Sequence, residues 1–114
     1  MVQKASAALE PAYGQLLAAL PEQDYLGIDE TGHKDRGRPM WTWCFRAIEF
    51  VAFRVLSSRA SDVLQQTLGK DYAGIIGCDY FSAYRKFNRL LKVKLQLCWA
   101  HLIRELKALL ELSV

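Results

Sequence analysis

Two aspartates each close an apolar run: Asp29 ends Tyr25-Leu26-Gly27-Ile28-Asp29, and Asp79 ends Gly74-Ile75-Ile76-Gly77-Cys78-Asp79. Short apolar runs bounded by turn residues read as strands, so each carboxylate is predicted at a strand tip. Two carboxylates on neighbouring tips attract a hard divalent cation, because like charges that close are otherwise unfavourable. A pair of such cations about 4 Å apart activates an attacking water or hydroxyl and stabilises the leaving oxygen of a phosphodiester. Aspartate suits this work, being short, ionised at neutral pH and oxygen-donating, as Mg²⁺ prefers. The commoner role of an aspartate after an apolar strand is turn former or helix cap. The metal reading therefore depends on the two strands being neighbours.

The elements that must position them follow from hydrophobic spacing. Val2, Ala5, Leu9, Tyr13, Leu16, Leu17 and Leu20 recur at roughly helical intervals. They predict an amphipathic helix that Pro11 kinks or divides and Pro21 ends. A strand is expected from about Tyr25 to Thr31, then a polar turn from Gly32 to Pro39 containing His33. From Met40 to Ala47, Trp41, Trp43 and Phe45 alternate with Thr42, Cys44 and Arg46, which is strand periodicity and makes the aromatics core. Phe50 to Leu56 completes an antiparallel meander. Ser58 or Ser61 should cap a helix over about Ala60 to Leu68, ended by Gly69.

The strand ending at Asp79 is followed by a helix near Ser82 to Leu90 and a strand near Val93 to Leu97. A final helix runs from about Trp99 to Leu112, with Leu102, Leu106, Leu109 and Leu110 on one face. A strand–helix–strand crossover places the later strand parallel to one already in the sheet. The expected fold is α/β: a ribonuclease H-like mixed five-stranded sheet flanked by helices and preceded by an N-terminal helix. The same order of elements also suits other α/β sandwiches.

Several short motifs narrow the choice. Asp29-Glu30-Thr31-Gly32, Trp41-Thr42-Trp43, Ser58-Arg59, Gly77-Cys78-Asp79-Tyr80-Phe81-Ser82-Ala83-Tyr84 and Cys98-Trp99-Ala100-His101-Leu102 occur in this order. In order and spacing, over about residues 24 to 108, the chain resembles the catalytic core of bacterial insertion-sequence transposases of the IS66 type. The resemblance implies a ribonuclease H-like domain with an Asp-Asp-Glu triad that uses Mg²⁺ (or Mn²⁺) to hydrolyse DNA at transposon ends. The freed 3′ hydroxyl then attacks target DNA. By position, Asp29 and Asp79 match the first two triad members, with metal coordination as their role. DNA is the implied partner, with a homo-oligomer possible.

The third member of the triad has no counterpart at the expected position. Glu105 and Glu111 follow the Trp-Ala-His motif too closely to be the family glutamate. The expectation is a lead-in helix over 1–22 and a partial catalytic core over 23–114, inactive by itself. The alternative is a non-catalytic DNA-binding or dimerising remnant.

Candidate nucleic-acid contacts are His33, Arg59, Arg85, Lys86 and His101, each with a plainer reading as a solvated or packed side chain. Tyr80 and Tyr84 follow Asp79 closely and either line the site or pack the short helix. Cys98 and His101 form a Cys-x₂-His pair, half of a zinc site with no second pair at suitable spacing.

Fifteen Lys and Arg against twelve Asp and Glu give 114 residues a net charge of +3, too small to identify a nucleic-acid partner. The distribution is more telling. Between Arg85 and Lys107 seven bases face the single acid Glu105, so this segment could follow a phosphate backbone or simply be a solvated face. Three cysteines in apolar stretches fit free thiols in a reducing compartment better than a disulfide framework. No apolar run is long enough to span a bilayer and no signal-peptide pattern opens the chain. The expected location is cytoplasmic and nucleoid-associated, with no membrane partner.

Overall fold

The computed structural model describes residues 2–79 and 82–113. Helix α1 (Val2–Ala19) leads through a 3₁₀ turn (Leu20–Glu22) into strands β1 (Tyr25–Asp35), β2 (Arg38–Arg46) and β3 (Val51–Leu56). Helix α2 (Ser61–Leu68), strand β4 (Ile75–Cys78), helix α3 (Ser82–Leu91), strand β5 (Lys94–Leu97) and helix α4 (Trp99–Leu112) follow. The five strands form one sheet in the order β3-β2-β1-β4-β5. The meander pairs antiparallel, while β4 runs parallel to β1 and β5 parallel to β4. This is the mixed α/β sheet expected from the order of elements, with Asp29 on β1 and Asp79 directly after the adjacent β4.

Two local expectations are corrected. The polar stretch after Thr31 is not a long turn: β1 continues to Asp35 and β2 begins at Arg38. Arg36 (φ 52°) and Gly37 (φ 78°) form a two-residue turn with both residues left-handed. Such turns match the twist of the flanking strands and let pairing run up to the loop. His33 is therefore a strand residue. Ser61 is also not the cap of α2. The capping position is Ala60 without a side-chain bond. Its N–H donates to Ser58 Oγ at 3.0 Å, while that hydroxyl donates to Asp62 Oδ1 at 3.1 Å. Pro11 lies within α1 without dividing it.

Strand alternation separates the two faces of the sheet. Leu26 and Ile28 of β1, Trp43 and Phe45 of β2 and Ile76 and Cys78 of β4 are buried under α2 and α3. Val63, Leu64 and Leu68 come down from α2 and Tyr84 and Phe87 from α3, so the core lies on this side. Trp43, Phe45, Tyr84 and Phe87 are fully buried, each contributing roughly 1.5–3 kcal/mol of apolar transfer. Trp43 also donates its indole N–H to the Ser58 carbonyl at 3.0 Å, which ties β2 to the loop before α2.

The opposite face is open. Val51, Phe53 and Val55 of β3 and Ile75 of β4 are exposed on it. Helix α1 is anchored at its end, by Leu17 against the core, buried Leu20 and a 2.6 Å bond from the Tyr13 hydroxyl to the Phe53 carbonyl. Helix α4 buries none of its side chains, and its expected Leu102, Leu106, Leu109 and Leu110 stripe is exposed. The radius of gyration, 16.3 Å, exceeds the ~13 Å of a compact chain of this length, as two outlying helices require.

Candidate active site

Register brings the two aspartates together. β1 and β4 pair in parallel at Tyr25–Ile75, Leu26–Ile76 and Gly27–Gly77. Two residues further along the chain from this pair stand Asp29 and Asp79. Asp79 follows the end of β4 as expected, whereas Asp29 is not at a strand tip but within β1, which continues to Asp35 as one arm of the hairpin. With neighbouring strands about 4.8 Å apart, both belong to one end of the sheet, and alternation puts them on the open face. Both line a cavity of about 420 Å³, together with Tyr25, Cys44, Arg46, Cys98 and His101. That volume suits a nucleotide-sized group.

The floor of the cavity is made by Gly27 and Gly77, the pair directly before the aspartates in register. Their missing side chains are replaced by neighbours. A Cβ at Gly27 would stand 3.3 Å from both Nε and Nη2 of Arg46, whose guanidinium lies across this backbone. A Cβ at Gly77 would overlap the Tyr25 hydroxyl, so the phenol lies over that position. On one wall, the Cys98 N–H donates to the Cys78 carbonyl at 2.7 Å, fixing the start of α4 beside the end of β4.

Asp29 Oδ1 accepts the Glu30 N–H at 2.9 Å, which orients the carboxylate. The field of the acid pair registers on the thiols. The Cys44 thiol is pushed up by burial and then by Asp29, with Arg46 opposing. Cys78 is pushed up to about 12 by burial, then Asp79 and Glu30. Cys98 moves the other way, lowered chiefly by the His101 backbone N–H and then its ring. His101 is raised by Cys98 and, to a smaller extent, by Asp79. The thiol acts on the ring chiefly as a hydrogen-bonding neighbour and secondarily through charge.

The donor set bears on a metal. Two carboxylates lining one cavity, from β1 and the end of β4, fit a hard divalent cation. Among the described residues no group of three or more His, Cys, Asp or Glu stands close enough to hold one. The pair can contribute two ligands, with water or phosphate oxygens to complete the shell.

The other sequence candidates are dispersed. His101 lies in the cavity. His33 is on the open face further along β1, its Nε2 2.8 Å from Thr42 Oγ1. Arg85 and Lys86 are exposed on α3, the helix covering the opposite face. Tyr80 lies outside the described residues. Arg59 belongs to a half-buried cluster behind β1, centred on the buried Glu30. Its Nη2 and Nε donate to Glu30 Oε1 at 2.9 and 3.2 Å, and its guanidinium lies 4.5 Å from the centre of the Trp41 ring. Tyr84 donates its hydroxyl to Glu30 Oε2. Glu30, next to Asp29, is thus a buried structural carboxylate.

Arg46, Tyr25 and the glycine pair were not among the candidates read from the sequence. The signal for Arg46 was its place in the Thr42, Cys44, Arg46 alternation, opposite to the aromatic core residues.

The family model described as Transposase IS66 family matches residues 1–113. No curated protein and no solved structure is significantly similar to the chain.

Proposed function

The chain belongs to the transposase IS66 family, and we propose that it carries two of the metal-binding carboxylates, Asp29 and Asp79, of a catalytic core for DNA transposition. The observation that supports this reading most is register. Asp29 and Asp79 stand at equal distances past the Gly27–Gly77 pair and line one cavity.

A divalent cation bound there supplies Lewis-acid chemistry, lowering the pKa of an attacking water or hydroxyl and neutralising charge on the leaving oxygen. The residues of the chain hold and orient. Asp29 and Asp79 offer carboxylate oxygens, and the Glu30 N–H holds one oxygen of Asp29 in place. The buried Glu30, gripped by Arg59 and Tyr84, keeps this part of β1 from shifting. In hydrolysis, water adds to phosphorus and the 3′ oxygen leaves; in strand transfer, that 3′ hydroxyl attacks a target phosphorus and the target strand's own 3′ oxygen leaves.

With no third carboxylate, histidine or thiol assembled at the pair among the described residues, the 114-residue chain by itself is proposed to bind metal weakly and not to cut DNA. Titration calorimetry with Mn²⁺ tests the first part. Binding by the wild type that Asp29→Ala and Asp79→Ala each abolish is expected; binding unaffected by either substitution would refute the assignment. A plasmid-nicking assay in Mg²⁺ tests the second. Turnover by the 114-residue chain that Asp29→Ala removes would show that two carboxylates suffice.

A further inference from the structure

We propose that Arg46 holds a phosphate of the nucleic-acid backbone beside Asp29 and Asp79, on a floor kept bare for it by Gly27 and Gly77. The inference rests on the reading of the aspartates as a metal-binding pair acting on a phosphodiester.

Arg46 is opposite Gly27 in the β1–β2 register, on the open face. Its guanidinium lies across the glycine backbone, 3.3 Å from where a Cβ would sit. A side chain at position 27 would press on it. The cavity it lines contains both aspartates, and it is the only lysine or arginine among the described residues lining that cavity. Even so, Arg46 forms no ion pair with another described residue, unlike Arg59, which pairs with Glu30. Arg54, on the next strand, is bound differently, its Nη1 donating to Thr67 Oγ1 at 2.6 Å.

The chemistry follows from that arrangement. A phosphodiester approaching two carboxylates meets repulsion that a cation on the same floor offsets. A guanidinium presents paired N–H donors in a planar fork that matches two phosphate oxygens. The Tyr25 hydroxyl, over Gly77, is a neutral donor on the same floor. Phosphate contacts of this kind fix the position of the backbone without reading sequence.

The test is fluorescence anisotropy with a short fluorescein-labelled DNA duplex in Ca²⁺, over a range of salt concentrations. Arg46→Ala is expected to weaken binding by about tenfold and to make the log–log salt slope shallower by about one phosphate contact. Arg46→Lys should retain the slope and recover part of the affinity. Gly27→Ala should weaken binding several-fold with its thermal midpoint unchanged. Arg46→Ala with wild-type affinity and slope overturns the proposal, and so does a wild type that does not bind the duplex. Mn²⁺ titration of the same proteins separates this failure from that of the aspartate reading. Metal binding lost in Asp29→Asn but retained in Arg46→Ala leaves the aspartate pair standing whatever the duplex shows. Titration with inorganic phosphate distinguishes the source. Phosphate binding that is as tight as the duplex and lost in Arg46→Ala would mark a small-anion site and overturn the nucleic-acid assignment.

Discussion

Tyr84 donates its hydroxyl to the Glu30 carboxylate and so joins the residue after Asp29 to the helix that follows Asp79. The bond crosses from β1 to α3 beneath the sheet, on the face opposite the cavity. Arg59 grips the other oxygen of Glu30 and stacks on Trp41, which brings the loop before α2 into the same cluster. The two segments that bear the aspartates are therefore clamped from behind. Both aspartates face the cavity on the other side of the sheet.

Removing the Tyr84 hydroxyl tests the clamp. A hydrogen bond to a charged group contributes about 1.5–3 kcal/mol, and Glu30 is buried. Tyr84→Phe should lower stability by about 2 kcal/mol in urea unfolding, as a fall in midpoint with an unchanged slope. Arg59→Ala should cost a comparable amount by leaving a buried carboxylate short of its cation. Arg59→Lys, lacking the planar fork, should recover only part of it.

The same clamp fixes an alkaline limit. The Tyr84 phenol is pushed far above its ordinary value by burial, then by its bond to Glu30 and the nearby negative charges. The folded state thus holds this proton more tightly than the unfolded chain, whose tyrosines titrate near 10. Its contribution is fully present below about pH 10 and is lost as pH rises above it. Unfolding free energy should decline above about pH 10 in the wild type and more gently in Tyr84→Phe, measured by urea titration at successive pH values.

Much of this site was legible in the chain, and the rest depended on one turn. The runs ending Gly27-Ile28-Asp29 and Gly77-Cys78-Asp79 share a spacing, and parallel pairing in that spacing aligns glycine with glycine and acid with acid. The aromatic alternation of β2 marked the buried face correctly. Arg46 was missed because the hairpin was read as a long polar loop. A two-residue turn at Arg36-Gly37 pairs Asp35 with Arg38 and, counting back, Asp29 with Cys44 and Gly27 with Arg46. Lys, Asp and Arg around that turn look like loop composition, yet positive φ at both turn residues lets pairing continue beside them. Glu30 was hidden for another reason. A carboxylate inside a strand reads as solvent-facing until its partners, 29 and 54 residues away, are known.

The three thiols should react in a fixed order. The Cys98 thiol is lowered by the His101 backbone and ring, Cys44 is raised, and Cys78 is pushed up to about 12 and buried. A lowered thiol supplies thiolate at lower pH, and thiolate is the reacting form. Iodoacetamide at neutral pH, followed by peptide mass mapping, should label Cys98 first and Cys78 last. His101→Ala should slow the labelling of Cys98 and leave that of Cys44 unchanged.

The acid pair should cost stability when no cation is bound. Like charges about 5 Å apart at a wet surface repel by about 1 kcal/mol at low salt, and the two carboxylates line one cavity. Asp29→Asn keeps an acceptor for the Glu30 N–H, which Oδ1 now serves, while removing one charge. In EDTA the variant should therefore melt higher than the wild type, and added salt should narrow the gap. Mg²⁺ should reverse the order. A ligand that binds only the folded state stabilises it by about 2.7 kcal/mol at one hundred times its dissociation constant, and Asp29→Asn loses that gain. Melting curves in EDTA and Mg²⁺ check both halves. A wild type that gains nothing from Mg²⁺ would mean that the aspartates do not act together on a cation.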